Sequence, residues 1–133
     1  MSVVESKREE GELRALTKAR ELAVYTIRIC CNENNFPKRY RWCITNKVVE
    51  TALLINLYIE KANSVRLKNA TEVEIETRRK YQTIAIAETY AMTNLISISR
   101  DLFGLKGDKV EHWTRLVKSV RTLTRAWKNS EKR

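Results

Sequence analysis

Apolar residues recur every three or four positions through most of the chain, and no segment shows the strict apolar–polar alternation of a half-exposed strand. One such stripe is Leu13, Leu16, Ala23, Ile27 and Cys30. A second runs through Tyr81, Ile84, Ala87, Ala91, Leu95, Ile98 and Leu102, and a third through Trp113, Leu116, Val120, Leu123 and Trp127. Helix-hostile residues are few: Gly11, Pro37, Gly104 and Gly107, with polar breaks at 32–37 and 66–71. The pattern predicts helices near 12–33, 38–65, 71–102 and 108–129, preceded by a flexible tail over 1–11. Pro37 suits the first turn of the second helix. Asp108 with Glu111 reads as a variant capping box opening the fourth. Gly104 and Gly107 flank a turn, with a left-handed cap expected to end the third. Links of about five or six residues are too short to cross such helices, so neighbours are expected to run antiparallel. The predicted fold is all-α: one up-down-up-down four-helix bundle over 12–133.

The second helix is apolar on every side. From Val48 to Ile59 only Glu50, Thr51 and Asn56 are polar. At 100° per residue Val49 and Leu53 point one way while Leu54, Ile55 and Tyr58 point to other sides. A helix greasy all round is buried all round. These three residues are therefore the expected seam of a homo-oligomer.

Charge sharpens the picture. The 133 residues hold 26 Lys plus Arg against 16 Asp plus Glu, a formal net charge of +10. Residues 1–36 and 67–103 are each balanced, whereas 37–66 carry six bases to two acids and 104–133 carry nine to three. On the fourth helix Arg115, Lys118, Arg121, Arg125, Lys128 and Lys132 follow by threes and fours, opposite the tryptophan stripe. Like charges at neighbouring positions repel, so such a stripe is better explained by a polyanion or an acidic protein surface than by folding. Lys38, Arg39 and Arg41 crowd the start of the second helix, where cations oppose the helix dipole. Arg78, Arg79 and Lys80 lie among Glu72, Glu74, Glu76 and Glu88, and read as compensation within one helix.

The chemistry on offer is limited. Cys30, Cys31 and Cys43 form no zinc motif and read as small buried residues in a reducing cytosol. A single His112 excludes a two-histidine metal site, and no metal or cofactor is expected. The sequence has no glycine-rich phosphate loop, no nucleophile elbow and no HExxH. In helical ribonucleases of the HEPN type an Arg precedes the catalytic His by a few residues. Here Lys106 stands in that place, without the bidentate fork of Arg. The expectation is a protein that is not an enzyme. Residues 1–10 hold Glu5, Glu9 and Glu10 and no apolar core of a signal peptide, and no apolar run approaches the roughly 18 residues of a membrane span. A cytoplasmic location is expected, with no membrane partner.

Phe36-Pro37-Lys38-Arg39-Tyr40-Arg41-Trp42 resembles the opening of the second helix in a superfamily of small four-helix-bundle proteins. It includes the ribosomal-RNA intervening-sequence proteins and the accessory variability proteins of diversity-generating retroelements. The closing Leu123-Thr124-Arg125-Ala126-Trp127-Lys128 resembles the accessory variability branch. The chain departs from the intervening-sequence pattern at 43–46 and 57–61. The resemblance implies a homopentameric barrel of bundles that binds a reverse transcriptase and structured RNA and supports mutagenic cDNA synthesis without being a catalyst. The alternatives are a protein-interaction adaptor, or an intervening-sequence-type bundle with no polymerase partner.

Overall fold

A computed structural model describes the backbone of residues 2–131 and the side chains of residues 10–131. Among these the chain forms four helices and no strand: α1 (Ser2–Cys31), α2 (Asn46–Ser64), α3 (Glu72–Phe103) and α4 (Gly107–Ser130). A 3₁₀ turn at Lys38–Tyr40 and a π-helical turn at Arg41–Thr45 lead into α2. Each helix packs mainly on two others, in the cyclic order α1, α2, α3, α4. No helix among the described residues is long and apolar enough to cross a membrane.

Every helix buries one seam spaced alternately by four and three. The seams are Ala15, Ala19, Leu22, Thr26 and Ile29 on α1, and Val48, Ala52, Ile55, Ile59 and Ala62 on α2. On α3 the seam is Arg78, Gln82, Ala85, Thr89, Met92, Ile96 and Ser99, and on α4 it is Trp113, Val117, Val120, Thr124 and Trp127. An average step of 3.5 residues keeps a seam facing its neighbours along the whole helix. Gly11 on α1 leaves room for the Trp127 indole of α4. The stripe expected on α4 is correct, with Leu123 half-buried at its edge. Those expected on α1 and α3 are displaced: Leu13 is 64% exposed and Leu102 52%. On both helices several of the larger apolar residues flank the seam, while Ala, Thr, Gln and Arg share it with Leu22, Ile29, Met92 and Ile96. Ile55 is likewise corrected. It belongs to the α2 seam and is fully buried within its own subunit.

The helix ends follow local chemistry, not always as expected. Helix α3 opens with a complete capping box: the Thr71 hydroxyl accepts from the Glu74 N–H at 3.2 Å, and the Glu74 carboxylate accepts from the Thr71 N–H at 3.1 Å. It ends at Gly104, whose φ of 59° is the left-handed cap expected there. The box expected at the start of α4 is absent. Lys106 is the cap residue without a side-chain bond, Asp108 accepts only from the Lys109 N–H, and Glu111 pairs with Arg115. Gly11 lies inside α1, where a Cβ would stand 3.6 Å from that of Trp127. It marks close packing rather than a boundary.

The entry to α2 departs from the single helix expected over 38–65. Tyr40, Ile44, Val48 and Ala52 pack in or against the core at steps of four. Each such step drifts about 40° in an ideal α-helix. The widened π turn absorbs that drift and keeps Ile44 inward. Tyr40 and Phe36 both meet the Phe103 ring edge-on, at 5.0 and 5.1 Å between centroids, closing this end of the core.

At the other end one side chain organises three helices. Arg78 is 3% exposed. Its Nε and Nη2 donate to the Glu131 carboxylate at 3.0 and 2.6 Å, while Nη1 donates to the Ala62 and Val65 carbonyls at 3.2 and 2.6 Å. Gln82 adds a third bond to Glu131, and the guanidinium lies 5.0 Å from the Trp127 ring centre. Helix-local compensation, expected for this group, does not describe Arg78, which reaches across the bundle. Cys30 is buried beside exposed Cys31, and its thiol is pushed up to about 12, chiefly by desolvation. Cys43 is exposed, so only one of the three cysteines is a core residue.

Candidate nucleic-acid interface

The α4 cations do not form one free ridge. A step of three residues turns a side chain back by about 60° around a helix. The line therefore precesses from the α1 side toward the α3 side. Arg115 is exposed but ion-paired with Glu111 at 2.7 Å. Lys118 is exposed and has no partner among the described residues. Arg121 is half-buried against α3, its Nε donating to the Thr89 hydroxyl at 2.9 Å and its Nη2 to the Thr93 hydroxyl at 2.7 Å. Its guanidinium lies 3.9 Å from the centre of the Tyr90 ring. Arg125 is exposed and donates to the Tyr90 hydroxyl oxygen at 2.9 Å. That bond, with the charges of Arg125 and Arg121, holds the Tyr90 phenol below its ordinary pKa. Lys128 is half-buried, and Lys132 lies outside the described residues.

Arg121 is thus a packing residue of the α3–α4 contact, with its Nε and Nη2 committed to Thr89 and Thr93. Lys118 and Arg125 are the members of the line presented to solvent without a carboxylate. Sequence reasoning missed the cations that α1 adds beside them. Lys18, Arg115, Lys118 and Thr122 line one shallow cleft at the α1–α4 contact. Arg20, Arg28, Tyr25 and His112 line another. The exposed His112 meets Tyr25 edge-on at 4.7 Å. Glu21 lines the second cleft as well and pairs with Lys18 at 3.1 Å, so Arg20 and Arg28 are the cations of these clefts on α1 without a carboxylate partner among the described residues. Glu12 lies at the far end, within 3.8 Å of Arg78. Total charge hides the α1 cations, since segment 1–36 holds six acids against six bases.

Lys38 and Arg41 are exposed on the entry to α2, on either side of exposed Arg39, whose guanidinium sits 5.3 Å from the Tyr40 ring centre. Of the expected oligomer seam, Leu54 is 37% exposed and adjoins Leu53 and Leu57 at 38% and 50%. Tyr58 is half-buried, tilted against Tyr81 at 6.0 Å with Lys61 over its ring. The apolar surface of α2 is therefore Leu53, Leu54 and Leu57, with Ile55 inside. Compared with known proteins, the chain matches no family model, no curated protein and no solved structure.

Proposed function

We propose that this protein is a non-catalytic scaffold that binds nucleic acid, self-associates through α2, and serves a reverse transcriptase as an accessory protein. The observation that carries the nucleic-acid reading is the set of exposed cations along α4 and the facing side of α1. Lys118, Arg125, Arg20 and Arg28 have no carboxylate partner among the described residues. Such a surface attracts phosphates through counterion release. The polymerase partner and a structured-RNA ligand come from the resemblance to accessory variability proteins, as does a pentameric barrel. Antiparallel neighbours are supported by Gly11 against Trp127 and Tyr25 against Lys109 on the α1–α4 pair. Self-association is supported by the contiguous Leu53, Leu54 and Leu57.

The test is RNA binding as a function of salt. Log affinity is expected to fall linearly with log salt, by about 0.7–0.9 per phosphate neutralised. Lys118→Glu with Arg125→Glu is expected to weaken binding at least tenfold with unchanged circular dichroism. Undiminished binding rejects the site. Light scattering on wild type and on Leu54→Lys with Leu57→Lys tests assembly, and a monomeric wild type rejects it. Copurification with an acidic protein and no nucleic acid would favour the adaptor instead.

A further inference from the structure

The π turn places Trp42 82% exposed, whereas Trp113 and Trp127 are 0% and 1% exposed. A large aromatic side chain left in water forgoes the stabilisation its burial would give. Its neighbours along the chain are of one sign, while Glu33 and Glu50 share with Lys38 and Arg41 the cleft between α1 and the entry to α2. Lys38, Arg39, Arg41 and Lys47 are all exposed, and no Asp or Glu occurs between Glu33 and Glu50. None of the four has a carboxylate partner among the described residues. The backbone accounts for the exposure: the π turn that keeps Ile44 in the core turns its neighbour two residues earlier outward.

We infer that Trp42, with Lys38, Arg39, Arg41 and Lys47 around it, is a base-stacking site for single-stranded nucleic acid, with the indole taking an unpaired base and the cations the flanking phosphates. The inference rests on the nucleic-acid reading above and deepens it. Stacking on an aromatic ring beside a basic track is how strands are held without sequence preference, because every base has a π-face. Duplex bases are already stacked and offer no face to the indole. A membrane contact would need a wider apolar surface around the tryptophan, and its neighbours here are exposed Arg41 and Cys43 with Ile44 turned inward.

All three tryptophans emit when excited at 295 nm, but Trp113 and Trp127 are buried out of a ligand's reach, so quenching by a stacked base reports on Trp42. Titrating the full chain with a 15-nucleotide oligo(dT) is expected to quench that emission, while inorganic polyphosphate binds without comparable quenching. Trp42→Ala is expected to weaken oligo(dT) binding about 5- to 100-fold and to change polyphosphate binding less than about twofold. Trp42→Phe restores most of the loss. The variant should keep the thermal midpoint of wild type, since the side chain packs on little. Equal losses for oligo(dT) and polyphosphate overturn the inference, as does oligo(dT) binding that Trp42→Ala leaves unchanged; in both cases the wider reading stands. Failure of wild type to bind either polyanion overturns both. A blue-shifted emission with phosphatidylserine vesicles and no quenching by oligo(dT) overturns it in favour of a membrane surface.

Discussion

Helices α3 and α4 bury seams of the same spacing with opposite chemistry. The α4 seam is two tryptophans, two valines and one threonine, and Trp113 donates its indole N–H to the Thr26 hydroxyl at 2.9 Å. The α3 seam holds Arg78, Gln82, Thr89 and Ser99 beside Ala85, Met92 and Ile96. One helix is held by apolar area. The other is held in good part by side-chain hydrogen bonds: Arg78 and Gln82 to Glu131, and Thr89 to Arg121. A buried polar group that keeps its partners is nearly neutral to stability, but losing one partner exposes the full desolvation cost of the other. The two faces should therefore fail differently.

The largest effect is expected on the apolar side. Trp113→Ala empties a fully buried site and orphans Thr26, for a loss of about 3–5 kcal/mol in urea unfolding. On the polar side Arg78→Met leaves the Glu131 carboxylate nearly buried and unpaired, for a loss of about 3 kcal/mol. Adding Glu131→Leu is expected to narrow that loss to about 1–2 kcal/mol, the remainder being chiefly the Val65 carbonyl left without its donor, since the Ala62 carbonyl keeps the Val65 N–H. No second substitution in a polar network would rescue Trp113→Ala in this way. Thr71→Ala removes the cap that starts α3 and is expected to cost about 1 kcal/mol, read as a lower thermal midpoint. The smallest effect has the opposite sign. Gly11→Ala adds a methyl group at ordinary contact distance from Trp127 and is expected to stabilise by about 0.5–1 kcal/mol.

The same contrast explains what could be read from the chain. Trp113, Leu116, Val120 and Trp127 announce a buried face because each is large and apolar. On α3 the large apolar residues Tyr90, Ile98 and Leu102 are half-exposed or nearly so, and the buried positions hold residues whose polarity argues for solvent. Their steps of four and three were present in the sequence, but only partners from other helices make Arg78 a core residue. The Thr71-Glu72-Val73-Glu74 box was legible and passed over, while Asp108 and Glu111 offered the same pattern without forming it. At the candidate interface residue type and rough position were legible. Whether a cation is committed was not, because Thr89, Tyr90 and Thr93 sit on a different helix from Arg121.

Arg78 grips the last carbonyls of α2 and the residue that follows α4 with one guanidinium. Terminal helical turns ordinarily fray one by one, exchanging their amide protons far faster than the centre. Here neither end can loosen without dislodging the group that holds the other. Deuterium uptake at residues 62–65 and 127–131 should accordingly proceed as a single cooperative opening, distant in sequence and shared in time.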